Sequence, residues 1–232
     1  MKKIFTLILV VGIILYLIFL GDSIKNNLTQ NNKLNKQEEL LKEEINKIYS
    51  LNYNTEKVDM NIKTTSEYGK IERIIKKHYN ELYSYQKELN DLKFYATITN
   101  ILDSKNLDNA DLNKSKKQIN DLYERSIDKL DKIISLLDEE YALSLGNGIS
   151  KDYINLYESL ILPTNHSDVK QSWINKKETL KEANQLAIQA LNILSNNKNL
   201  WHVENNKLYF HDENLLKEYN SIINSLKSRN AG

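Results

Sequence analysis

Cysteine is missing from this chain, and proline and glycine nearly so: 0 Cys, 1 Pro and 6 Gly among 232 residues. Without cysteine there is no disulfide frame, no metal-thiolate site, no thiol nucleophile and no lipoprotein lipid attachment, so the fold rests on packing alone. The shortage of glycine and proline removes the turn residues that all-β architectures need and predicts a mainly α chain. A surplus charge of either sign is also lacking, since 32 Lys and Arg balance 31 Asp and Glu for a net charge of +1. Interspersed charges of this kind make no single-sign field, and nucleic acid is not an expected partner. No catalytic motif, metal-ligand spacing or glycine-rich phosphate loop occurs, so no catalytic, cofactor-binding or metal-ligating residue is assigned and no enzyme activity is expected. No period of roughly 20 to 50 residues repeats, which argues against solenoid arrays. The richness in Asn, Lys and Ile reads as the base-composition bias of an AT-rich genome and hints at a bacterial source. In so Asn-rich a chain, the sequons at Asn27, Asn113 and Asn165 are expected by chance.

What the sequence does contain is an uncharged apolar run, Ile4 to Leu20, diluted only by Thr6 and Gly12. As a helix rising about 1.5 Å per residue it spans roughly 25 Å, short but workable against a hydrocarbon core of about 30 Å. An uncleaved anchor and a cleaved secretory signal compete for this segment, because Lys2 and Lys3 serve either one. Bulky residues, Tyr16-Leu17-Ile18-Phe19-Leu20, occupy the exit where a signal peptidase wants small ones. The anchor is therefore favoured, with cleavage after Gly21 or Ser23 as the alternative. The positive-inside bias then predicts residues 1–3 as a cytoplasmic stub, 4–20 as a transmembrane helix contacting the lipid bilayer, and everything from Gly21 onward as extracytoplasmic. With so short a stub, any inward signal needs a partner within the membrane.

Residues 21–63 read as a juxtamembrane tether and first helix. Asp22 to Asn32 has no apolar face to bury, and from Leu34 a helix carries Leu34, Leu41, Ile45 and Ile48 on one side. Val58, Met60 and Ile62 alternate with polar residues, as a short strand would. Residues 64–232 are expected to form an elongated antiparallel helical bundle. Thr64, Thr65 or Ser66 can cap its first helix. Apolar positions then recur as Ile71, Ile75, His78, Leu82, Tyr85, Leu89, Leu92, Ala96 and Thr99, the seam of one coiled-coil-like helix of about 38 residues. After a break at Ser104 to Asp108, a second seam runs through Tyr123, Ile127, Leu130, Ile134, Leu137 and Tyr141 until Gly146-Asn147-Gly148 ends it. A shorter helix covers Ser150 to Ile161, and another starts at Ser167 with Trp173, Leu180, Ala187, Leu191 and Leu194 inward. Two alternating runs flank Asn205-Asn206, which predicts a β-hairpin within 200–211 that sets Trp201 opposite Phe210 and Val203 opposite Leu208. A last helix begins near Asp212.

Three side-chain groups invite chemistry, and each has a plainer explanation. His78 lies in the long seam, where a polar residue more often sets register than binds metal. His202, Glu204 and His211 share the polar face of the hairpin and include donors that zinc uses, but without a ligand-spacing signature they read as a solvated face. Asp138-Glu139-Glu140 point in different directions from a helix and so cannot converge on one substrate atom. The 14 tyrosines can stack on sugars or pack at interfaces, although at helical spacing most belong to the seams. The expected role is that of a scaffold or adaptor of the cell envelope, pairing through its helical seams with a second copy or a protein partner. Binding of a small ligand or glycan by tyrosines near the hairpin is the alternative, with an enzyme third. A Tyr-lined cleft would point to the ligand, and a long exposed apolar stripe to the adaptor.

Overall fold

The computed structural model describes residues 29–108, 110–163 and 166–230, and within them the chain is mainly helical with one small hairpin. The anticipated stub and anchor, residues 1–20, and the start of the tether, residues 21–28, lie outside the described residues. Among the described residues no helix is long and apolar enough to cross a membrane.

Helix α1 is already formed at residue 29 and runs to 49, so the end of the expected tether is helical, with its side chains exposed through residue 36. Leu41, Ile45 and Ile48 are buried on one face, whereas Leu34, expected beside them, is 38% exposed. Ion pairs Lys42–Glu38 and Lys47–Glu43, four residues apart, lie along the wet side. Contacts between α1 and α2 (Ser66–Asp91) advance together along both helices, from Gln37 with Thr65, through Glu44 with Lys76, to Ile48 with Tyr83. The two helices therefore run parallel, and residues 50–65 return the chain between them.

That return segment is not a strand, contrary to the alternation read at Val58, Met60 and Ile62. Val58 is buried and Met60 is 45% exposed, although a strand would set both on one face. The backbone groups that would pair with a neighbouring strand are taken by side chains of α2. The Glu72 carboxylate accepts the N–H groups of Lys63 (2.9 Å) and Thr64 (2.8 Å), and the Asn61 carbonyl accepts from Lys76 Nζ at 2.6 Å. Nor does a hydroxyl cap α2. Its cap residue Thr65 makes no side-chain bond to the helix, while Thr64 Oγ1 donates to Glu72 and Thr65 Oγ1 to Gln37.

The expected 38-residue helix is two helices. α2 ends at Asp91, Lys93 takes a left-handed conformation (φ 49°), and α3 (Phe94–Ile101) starts on a new axis. The break shifts the seam: Ile71, Ile75, His78, Leu82 and Leu89 are buried as read, but beyond it Phe94, Ile98 and Ile101 are buried while Ala96 and Thr99 are exposed. Short helix α4 (Ser104–Leu107) is capped by Asp103, α5 (Leu112–Leu136) by Asp111, and α6 (Glu139–Ser144) by Asp138, each carboxylate accepting backbone N–H groups of the first turn. The buried row of α5 is Ile119, Leu122, Ser126, Leu130, Ile133 and Leu136. Tyr123, Ile127 and Ile134 of the expected seam flank this row half-buried, and Tyr141 is 39% exposed. The row is displaced because α5 packs on both α2 and α8 (His166–Asn196) and needs a wide apolar face.

Side-chain pairs fix the directions. His78 meets Tyr141 and Glu88 meets Lys129, so α2 and the α5–α6 run are antiparallel; Asp131 meets Lys177 and Ser195 meets Lys116, so α5 and α8 are too. Between α6 and α8 lie a 3-10 turn, Lys151–Tyr153, and α7 (Ile154–Ile161), which stops before Pro163. The chain passes so close to the Tyr157 ring that a Cβ on Gly146 would stand 2.5 Å from it. Strands β1 (Trp201–Glu204) and β2 (Lys207–Phe210) form the hairpin in the register read from the sequence, Trp201 with Phe210 and Val203 with Leu208, across Asn205 and Asn206 at φ 51° and 61°. Helix α9 (Glu213–Asn230) returns along α8, as the Arg229–Glu182 ion pair marks.

Candidate functional site

Several tyrosines fasten helices together. Tyr49, Tyr79 and Tyr83 form edge-on contacts with centroids 5.1 and 5.8 Å apart, and their hydroxyls donate to the carbonyls of Leu160, Ile161 and Ile48. Burial pushes the Tyr49 and Tyr83 phenols up to about 12, so these are neutral donors at any physiological pH. Tyr157 is fully buried and donates to the Ala142 carbonyl at 2.5 Å.

The polar candidates of the sequence stay apart. His78 is 4% exposed, edge-on to Tyr79 at 5.2 Å, and its Nδ1 has no partner; burial, helped by the charge of His166, pulls it down to about 4. His202 and His211 stack at 5.0 Å on the exposed face of the hairpin, with Tyr209 against His202 at 5.5 Å. Asp138 caps α6 and pairs with Lys170 at 2.9 Å, while Glu139 and Glu140 face solvent. Among the described residues no three His, Asp or Glu side chains converge as a metal site would require.

Sequence reasoning missed two features. The first is a buried charge cluster: Lys76 Nζ lies 2.7 Å from Glu72 and 3.1 Å from Glu44, with side chains 1%, 0% and 8% exposed. Burial opposes ionisation of all three, but hydrogen bonds outweigh it, from Lys47 and Lys76 to Glu44 and from Lys76, Lys63 and Thr64 to Glu72, so both carboxyls sit below and the ammonium above the ordinary range. Every donor and acceptor found there is used within the protein, so the cluster clamps the 50–65 return segment rather than offering a group to a substrate. The signal was present in Glu72 and Lys76, four apart and next to seam positions Ile71 and Ile75.

The second feature is a cleft of about 490 Å³ between α3, the hairpin and α9. It exists because the Lys93 break turns α3 away from α2, and because the Asn205-Asn206 turn projects the hairpin tip over α4, where Ser104 Oγ donates to the Asn206 carbonyl. From α3 come Tyr95, Ile98 and Thr99, and Leu102 follows; β2 supplies Leu208, and α9 supplies Tyr219, Ile223 and Leu226 at helical spacing. Lys207 and Lys227 also line it, together with Asp103, whose carboxylate is engaged by the Lys105 N–H as the α4 cap. Tyr219 is buried and its phenol pushed up to about 12 by desolvation. The buried hydroxyl of Tyr95 has no hydrogen-bond partner. An apolar concavity with a few polar groups at its edge is how small-molecule sites are generally built. No family model, curated protein or solved structure matches this chain.

Proposed function

We propose that this protein is a membrane-anchored, extracytoplasmic binding module of the cell envelope, without catalytic activity, and that the cleft between α3, the hairpin and α9 receives a small, largely apolar ligand. The observation carrying this reading is the cleft itself, whose volume of about 490 Å³ falls within the roughly 300–1,000 Å³ of ligand pockets and whose wall includes Tyr95 of α3 and Tyr219, which packs against Phe210 of the hairpin. The anchor and topology in the proposal rest on Ile4 to Leu20 and on Lys2 and Lys3. A scaffold pairing through exposed seams has less to rest on. Seam residues Ile71, Ile75, Leu82 and Leu89 are buried within the one chain, and among the described residues the exposed large apolar side chains, Leu34, Met60, Tyr141, Leu200 and Tyr209, are scattered over four regions of the fold.

The test is titration of the full-length protein in lipid nanodiscs with the neutral fluorophore N-phenyl-1-naphthylamine, with the signal of empty discs subtracted. Saturable binding that disappears in Thr99→Trp, where an indole fills the cleft from an exposed position, is the expected result; equal signals from both proteins overturn the reading. A reporter fused after Gly232 should be active only outside the cytoplasm, and cytoplasmic activity would reverse the topology.

A further inference from the structure

We infer that the cleft takes an extended segment of a partner polypeptide, which adds as a third strand to the edge of β2 and sends alternate apolar side chains into the hollow; this rests on the cleft being a ligand site. The phase of the hairpin ladder fixes which backbone groups are free. The His211 N–H donates to the Leu200 carbonyl at 2.8 Å, and with Trp201 opposite Phe210 these two residues are the next opposing pair. Hydrogen-bonded and non-hydrogen-bonded pairs alternate in an antiparallel ladder, so His202 with Tyr209 and Glu204 with Lys207 also exchange bonds, while the N–H and C=O groups of Leu208 and Phe210 point away from β1. None of those groups bonds to any other described residue. The cleft is on that side of the hairpin. Asn206, Lys207 and Leu208 line it and no β1 residue does, whereas β1 is seated on α8, where Trp201 Nε1 donates to the Leu194 carbonyl at 2.8 Å. A hydrocarbon chain in the cleft would strip water from this edge and return nothing, whereas an extended backbone supplies matching acceptors and donors. Opposing residues of an antiparallel pair share a face, so the partner residues bonded to Leu208 and Phe210 project their side chains toward the cleft, which Leu208 lines and where Phe210 packs on Tyr219 at 5.4 Å. The segment recognised is therefore one with apolar residues at alternate positions. The chain's own apolar run is not the occupant. It is the proposed anchor, and α1 starts at residue 29, eight residues before Gln37 comes level with Thr65 at the head of α2, whose 26 residues then lead away toward α3, roughly 50 Å in all at about 1.5 Å per residue.

The probe is a fluorescein-labelled peptide of alternating valine and threonine with a glutamine at each end, titrated by fluorescence anisotropy against full-length protein in nanodiscs of zwitterionic lipid, with empty discs subtracted and N-phenyl-1-naphthylamine as competitor. The expected result is saturable binding that competes with the fluorophore and weakens about tenfold when a central valine amide is N-methylated, because methylation removes one backbone hydrogen bond and keeps every side chain. Methylation of the adjacent threonine amide, which points away from β2, should change affinity by less than about twofold. With the peptide at ten times its dissociation constant, exchange of the Leu208 and Phe210 amide hydrogens should slow about tenfold. Thr99→Trp, with the cleft filled, should lose peptide and fluorophore together. Equal affinity of the parent and both methylated peptides overturns strand addition and leaves the cleft reading intact, as does fluorophore binding without peptide binding. Failure of fluorophore and peptide alike overturns the cleft reading too. A dimer of the unliganded protein, trapped by cross-linking and dissociated by the peptide, gives the edge to a second copy and overturns the partner assignment.

Discussion

Lys76 and Glu72, one turn apart on α2, form a 2.7 Å ion pair whose side chains are 1% and 0% exposed. Such a pair is a poor source of stability compared with apolar packing, yet breaking it is expensive because the remaining charge stays buried. Here the carboxylate does further work as a substitute for secondary structure, holding the Lys63 and Thr64 N–H groups that no strand pairs.

Lys76→Met should therefore cost about 3–5 kcal/mol, since it leaves the buried Glu72 carboxylate without a counter-charge beside Glu44, which keeps only the more exposed Lys47 at 2.8 Å. Replacing all three residues with apolar ones should not restore wild-type stability, because two backbone donors and the Asn61 carbonyl lose their partners at about 1–3 kcal/mol each. Urea unfolding of both variants measures this, and a triple variant as stable as wild type would show that the cluster does not clamp the return segment. The folded carboxyls lie below their ordinary value of 4.5, so their contribution is present above that pH and is lost as pH falls through the lower folded value.

His78 titrates in a different window. Its folded value of about 4 lies below the ordinary 6.5, because burial disfavours the charged ring and His166 adds to the effect. Between those two values the unfolded chain binds the proton and the folded one does not, so stability should decline as pH falls from 6.5 toward 4, by up to about 3 kcal/mol. His78→Leu should remove that slope and leave the steeper acid loss below 4.5. Melting temperatures between pH 7 and pH 4 for the two proteins check it, and parallel curves would mean that His78 opens to solvent before it titrates.

The features legible in the sequence are those whose cause is local. The hairpin could be read to the residue because two Asn supply the positive φ values of its turn and alternation assigns the faces. The α2 seam from Ile71 to Leu89 could be read because an amphipathic period is a property of the segment itself. What escaped was set at a distance. The stretch from Val58 to Ile62 has a strand's alternation, but whether it pairs as a strand depends on Glu72 and Lys76 reaching its neighbours from another element. The cleft was beyond sequence reading because it depends on where Lys93 turns the chain, and nothing in Leu92-Lys93-Phe94 resembles a helix stop.

The Lys93 break makes the last prediction. A continuous helix would keep Ala96 and Thr99 on the packed seam; the observed turn buries Ile98, 1% exposed, and leaves Ala96 in solvent. Ile98→Asp should then abolish the cooperative melt by placing an unpaired charge in the core beside the cleft, whereas Ala96→Asp should change stability by less than about 0.5 kcal/mol. Lys93 itself separates the two geometries without touching the core. At φ 49° a side chain is strained, so Lys93→Gly should be neutral or stabilising by up to about 1 kcal/mol, and Lys93→Val, β-branched in a left-handed position, destabilising. In a straight helix the order reverses, because glycine would weaken the helix interior by about 1 kcal/mol and valine would be tolerated. Thermal denaturation of these four variants decides between them, and with them whether α3 is turned so as to form a wall of the cleft.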